Sequence, residues 1–211
     1  MKRALVVLLV LLAVLALGFF AFGPNLFDRA ANRILSDGPF IASERAERLF
    51  EGLLVVDLHA DPLLWDRDLS KRLDHGAVDI PRLIEGNVAI QSFFIVTKSP
   101  WTQNIDSTAA DSDAITTLIT VQGWPRRTHG SLLERALFQA GRLHDLAEES
   151  DGTMVVIESK NDLRRYREAR IEGTVEIAGI LGVEGAHVLE GDLANLQQLF
   201  DAGVRIVAPT H

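Results

Sequence analysis

The strongest constraint on this chain is its beginning, where Lys2 and Arg3 precede an uncharged run of 19 residues, Ala4 to Phe22, made mainly of Leu, Val, Ala and Phe. As a helix such a run reaches roughly 28 Å, close to the hydrocarbon thickness of a bilayer. A helix buried in a small soluble domain seldom lacks a polar face over about five turns, so the run reads as a transmembrane segment. A cleavable signal has a shorter apolar stretch, about 7–15 residues, and a small-residue cleavage site. Here the run is longer, and Pro24 stands just after Ala21-Phe22-Gly23, which favours a retained anchor over a cleaved signal. Basic residues at the terminus are expected to stay cytoplasmic, which places everything after Phe22 on the extracytoplasmic side, periplasmic or extracellular, of a single-pass membrane protein.

Beyond the anchor the composition is that of a folded protein. Of 211 residues 47% are apolar and 24% charged, enough to bury a core. The net charge is −8, and no Lys/Arg-rich run is present to neutralise a phosphate backbone, so nucleic acid is excluded as a partner. Cysteine is absent, which removes disulfides, thiolate ligands and a Cys nucleophile; a metal here must use His and carboxylate. From Gly23 to Asp37, Gly, Pro, Asn and charge mix with scattered apolar residues in the manner of a stalk, and Ser43 to Phe50 has the pattern of a short amphipathic helix. The expected division is residues 1–35 as anchor and stalk and 36–211 as the folded domain.

Within the domain, apolar runs of strand length recur at Leu53–Leu58, Val88–Val96, Thr153–Ile157, Val175–Gly182 and Val204–Ala208, with helix-period segments before or between most of them. A repeat reinforces the β/α reading. Leu83-Ile84-Glu85-Gly86, Arg170-Ile171-Glu172-Gly173 and Phe200-Asp201-Ala202-Gly203 each lead into a β-rich run, as helices that stop at a left-handed glycine do. The last helix is expected to start at Asp192 and to bury Leu193, Leu196, Leu199 and Phe200, while Ser131 caps a helix running to about Ala147. The polar stretch Thr97 to Gly130 reads as an insertion over the mouth of the domain, with a helix from about Thr108 to Val121. Its Asp111-Ser112-Asp113 lacks the rest of a calcium loop and reads as a helix start. His75, His129 and His144 read as surface residues; Trp101 and Trp124 are candidates for a cleft wall, with packing the ordinary alternative.

Parallel β/α repeats form a doubly wound sheet or a barrel, and both bind ligands at the carboxyl ends of their strands. The first strand ends not in a Gly-x-Gly-x-x-Gly turn but in Asp57-Leu58-His59-Ala60-Asp61-Pro62, which argues against a dinucleotide site. Residues two apart on extended chain project to one side, so His59 and Asp61 aim an imidazole and a carboxylate together, an arrangement suited to a zinc-type ion. Taken alone the triplet reads rather as a turn cap before Pro62 beside a half-buried His. Two further strand ends, Gly182-Val183-Glu184-Gly185-Ala186-His187 and Pro209-Thr210-His211, also carry Glu or His. A Glu closing an apolar strand is costly unless paired or metal-bound, although it is also able to cap the next helix.

Four segments in order, Leu54–Asp61, Asp79–Phe93, Gly182–His187 and Gly203–His211, resemble successive motifs of the membrane dipeptidase family, the M19 metallopeptidases. The resemblance covers about Leu53 to the last residue. It implies an α/β fold, the N-terminal part of an amidohydrolase-type (β/α)8 TIM barrel preceded by one transmembrane helix, and a zinc-dependent dipeptidase with two Zn2+ ions. Carried over by motif, His59 and Asp61 would bind one zinc, Glu184 would bridge both, and His211 would contact the substrate or the tetrahedral intermediate. The family usually has Asn where Ala60 stands, and it draws two further His ligands and a proton-transferring Asp from later strands. A barrel of this kind takes about 250 residues, so residues 36–211 are expected to be an incomplete domain, inactive alone. The expected partners are a dipeptide substrate, the membrane and a second copy in a homodimer. The alternatives are another amidohydrolase-type hydrolase acting on lactones or phosphoesters, and a non-catalytic membrane-tethered binding protein.

Overall fold

A computed structural model describes residues 2–36, 38, 40–102, 104–107 and 111–211. Helix α1 (Lys2–Ala31) is followed by α2 (Glu44–Glu51), β1 (Val55–Ala60), α3 (Ile80–Glu85), β2 (Val88–Val96), α4 (Ala114–Val121), α5 (Leu132–Glu149), β3 (Met154–Val156), α6 (Lys160–Ile171), β4 (Ile177–Glu184), α7 (Asn195–Asp201) and β5 (Val204–Ala208). All strand pairs are parallel. The expected α/β class and the single long apolar helix are both present.

The sheet runs β1-β2-β4, and the far edge of β4 is shared by two strands. β3 pairs with Ile177–Gly179 and β5 with Leu181–Glu184, while β2 occupies the opposite edge along Ala178–Glu184. The short third apolar run therefore sits beside the foot of β4, and the fifth takes over the same edge higher up. One face of the sheet, with Phe93, Ile95, Leu181 and Val183, packs on Leu133, Ala136, Ala140 and Leu143 of α5. Near the foot of the opposite face, Tyr166 of α6 packs on Ala178 and Ile90, and its hydroxyl donates to the Ala89 carbonyl.

Local chemistry explains most helix starts. Ser131 caps α5 as expected, its hydroxyl accepting from the Glu134 N–H, which satisfies a backbone donor that the first turn leaves unpaired. Asp113 caps α4, which is shorter than expected and begins at Ala114; the expected start at 108–110 lies outside the described residues. Asp192 is not the cap of α7. It holds a turn through the Ala194 N–H, and the helix starts at Asn195 behind Ala194. Of the face predicted for that helix only Leu199 is buried; Leu193, Leu196 and Phe200 are exposed. Gly173 and Gly203 are left-handed as the repeat predicts, but in its first copy α3 runs one residue further, with Gly86 as its C-cap, and Asn87 takes the left-handed position in place of Gly86. Asn87 tolerates it because its amide donates to the Phe50 and Leu53 carbonyls.

The stretch after Gly23 differs most from its sequence reading. Instead of a stalk, α1 continues without interruption through Pro24 to Ala31, and its last turns lie against the domain; Asp37 is outside the described residues. Asp28 is 4% exposed and accepts from Arg67 Nε and Nη2 at 2.8 and 2.6 Å. His75, read as a surface residue, is buried in the same cluster, with Nε2 3.1 Å from Asp28 and Nδ1 2.7 Å from Asp74. The Asp74 carboxylate also meets Arg29, and the hydrogen bonds from His75 and then Arg29 hold its pKa down at about 2. The charges of α1 are thus used inside the fold: a carboxylate taken out of water needs this bidentate partner.

Candidate functional site

The carboxyl ends of β1, β4 and β5 meet at Glu184. As the last residue of β4 it lies between Val96 at the end of β2 and Ala208 at the end of β5. Its two oxygens face two imidazoles: Oε2 is 3.4 Å from His59 Nε2 and Oε1 is 3.8 Å from His211 Nε2. Three of the four residues singled out from the sequence are brought together, from positions 59, 184 and 211.

Each ring is held by a specific neighbour. The His59 ring stacks on Phe94 of β2, centroids 4.3 Å apart, and its backbone N–H donates to Asp57 Oδ1. Phe94 in turn lies across from Gly182 in the β2/β4 register, and a Cβ at 182 would stand within 2.8 Å of the Phe94 ring. The platform under His59 therefore depends on a residue without a side chain. His211 is fixed by Nδ1, 2.8 Å from the Lys98 carbonyl. A carbonyl only accepts, so Nδ1 carries the hydrogen and Nε2 is the atom turned to Glu184.

Asp61 stands differently. It follows β1 directly and at φ −119°, ψ 46° leaves the extended conformation, turning the chain into a 3-10 turn over Pro62–Leu64. Its carboxylate makes no capping hydrogen bond to that turn, so the turn-cap alternative for Asp61 is not what the structure shows.

His187, to which no role was assigned from the sequence, belongs to this neighbourhood. Its ring is 6.4 Å from that of His211 and folds back over Gly185, whose φ of 99° and missing Cβ leave the space for it. Burial, then the charges of His211 and Lys98, lower its pKa, and among the described residues its buried Nε2 has no hydrogen-bond partner. Phe94 and Lys98 were likewise missed. Phe94 reads as ordinary core in a strand of apolar residues, and Lys98 acts through its backbone, on which side-chain identity is silent; the only signal was glycine inside a strand at 182 and beside Glu184. Trp124 is buried against Leu64, Val96, Ile115 and Ile119, so it packs and does not line the mouth, while Trp101 is exposed. His129 and His144 are half-buried, the latter between Glu158 and the Ala202 carbonyl.

Imidazole nitrogen and carboxylate oxygen are the donors a zinc-type ion takes in the absence of thiolate, and His59, Glu184 and His211 offer that set. Their partners fix the rings as ligand-supporting contacts do. Among the described residues no group of three His, Cys, Asp or Glu side chains is placed to enclose an ion as it stands.

Comparison with known proteins adds two findings. The family model for membrane dipeptidase, peptidase family M19, matches residues 43–211. Among solved structures, a dipeptidase of metallopeptidase family M19 is similar at 24% identity and TM-score 0.50, covering 75% of this chain and 43% of the other. A metallopeptidase from Rhodobacter sphaeroides, solved with a phosphinate mimic of the dipeptide L-Ala-D-Ala, is similar at 24% identity and TM-score 0.52, with 75% and 45% covered. The chain spans less than half the length of either structure, and at this identity the likeness is one of fold.

Proposed function

The chain belongs to the membrane dipeptidase family, peptidase family M19, and from that premise we propose that it is part of a zinc-dependent dipeptidase that hydrolyses the peptide bond of dipeptides. What supports the reading most is the convergence of His59 and His211 on the two oxygens of Glu184 at the strand ends. In this reading His59, Asp61 and Glu184 hold metal, and His211 meets the scissile carbonyl. Bound zinc supplies Lewis acidity and a nucleophile near neutral pH.

The chain's own residues supply position. Phe94 sets the plane of His59, and the Lys98 carbonyl sets the tautomer of His211. With Nδ1–H committed to that carbonyl, Nε2 is the ring atom that His211 presents, beside Glu184, to an oxyanion developing at the scissile carbonyl. Burial, its largest cause, lowers the His187 pKa and so works against a further positive charge there. Helix α1 is long and apolar enough to cross a membrane, and in this reading it anchors the domain on the extracytoplasmic side.

The test is a dipeptide panel, L-Ala-D-Ala included, assayed on the complete protein after chelation and again after zinc is returned. Zinc-restored release of free amino acids, lost in His211→Ala with zinc content retained, is expected. Turnover of lactones or phosphoesters without dipeptide cleavage would overturn the assignment in favour of another metal-dependent hydrolase.

A further inference from the structure

The outer wall of the insertion and the end of α1 enclose an apolar groove of about 360 Å3. Phe19 and Phe27 of α1 form one side; Trp65, Trp101 and, from α4, Ile115 and Leu118 form the other. Among the described residues that line it none is charged. Phe19 lies inside the uncharged run Ala4–Phe22, so one wall of the groove is the proposed membrane span itself. In the loop beside it two large apolar side chains meet solvent, Trp101 at 62% exposure and Ile105 fully, among the exposed polar residues Thr102, Asn104, Asp106 and Ser107. An exposed apolar patch at such a place marks a contact surface, and an aromatic at the end of a span is at home at headgroup level.

The placement is rigid. Asp28 stands only a turn beyond Pro24 in α1 and is clamped by Arg67 and His75, with Arg29 and Asn32 adding contacts to Asp74 and the Gly76 backbone. The helix therefore leaves the bilayer already fastened to the domain. Wherever the span is, the groove is beside it.

We infer that this groove is filled by acyl chains of the bilayer's phospholipids, which seats the insertion at the membrane surface with Trp101 in the interface. The same loop reaches the functional site: the Lys98 carbonyl holds His211, and the adjacent Ser99 lines the groove. The mouth thus shares a loop with the lipid contact, and the domain works at the bilayer surface instead of on a tether above it. The inference rests on the anchoring proposed above.

The full chain reconstituted into phosphatidylcholine vesicles tests it. Two variants each keep one indole: Trp65→Phe with Trp124→Phe leaves Trp101, and Trp65→Phe with Trp101→Phe leaves Trp124. Lipids brominated near the top of the acyl chains are expected to quench Trp101 several-fold more than the buried Trp124, with a blue-shifted Trp101 emission. Trp101→Phe in the otherwise unchanged chain, which keeps the native core, is expected to reduce the quenched fraction. Flotation of the same samples reports anchoring separately. Protein that floats with the vesicles while Trp101 emits as in water, unquenched, overturns the inference and leaves the anchor standing; protein that does not float removes both.

Discussion

At the scale of single residues the site depends on what Gly182 lacks. A methyl group there must displace the Phe94 ring, and Phe94 carries His59. Gly182→Ala is expected to destabilise the domain by about 1–3 kcal/mol, the usual cost of overfilling a packed position. Adding Phe94→Leu, which vacates the space, should recover part of that loss in a urea titration; equal losses for the single and double variants would deny the contact. Asp74 gives a second prediction. His75 and then Arg29 hold its folded pKa at about 2, below the ordinary carboxylate value of 3.8. A depressed carboxylate contributes stability that is fully present above its unfolded pKa and is lost as pH falls through the folded one, here between about pH 4 and pH 2. Carboxyl NMR should find Asp74 ionised at pH 3 in the native chain and titrating nearer its ordinary value in His75→Ala. His75 also shows where sequence reasoning stops. Its neighbours Asp74 and Gly76 suggest a surface turn, and the carboxylate that buries it, Asp28, is 47 positions away.

At the scale of elements, the insertion is held by one buried cation. Arg135 of α5, 2% exposed, donates to the Thr128 and Thr97 carbonyls, to Asp113 and to the Thr116 hydroxyl. Burial pushes the Asp113 carboxyl up, and the Thr116 and Arg135 hydrogen bonds outweigh it, so its pKa is lowered overall. Arg135→Ala leaves that carboxylate and two carbonyls without their partner, at an expected cost of about 3–5 kcal/mol. The loss should be local: limited proteolysis is expected to cut within residues 97–113 while α5 and the sheet stay protected, and an unchanged cleavage pattern would contradict the clamp. Strand and helix positions were largely legible, because β-rich runs, Ser131 and the glycines at 173 and 203 act through local backbone chemistry. The cap of α7 and the left-handed Asn87 were not. For Asn87 the choice is made by partners outside the local pattern, the Phe50 and Leu53 carbonyls; at α7, Asp192 is spent on the turn before the helix, which starts behind Ala194 with no side-chain cap.

At the scale of the whole molecule, the parallel sheet brings positions 59, 184 and 211 to one point although 152 positions separate the first from the last (211 − 59). Class and site were legible because parallel strands carry their chemistry at one end, so residues at three strand ends share a mouth before any contact is known. Two features were not. The sharing of one β4 edge by β3 and β5 depends on strand length, and the docking of α1 depends on Asp28 finding Arg67, neither of which has a periodic signature. The central claim is that these strand ends hold metal. Its most direct test is the zinc content of the complete protein, and of its His59→Ala and Glu184→Gln variants, after dialysis to trace free zinc with folding checked by circular dichroism. Bound zinc in the parent and its loss from both folded variants is the predicted result; variants that keep the parent's zinc, or a folded parent that binds none, would contradict it.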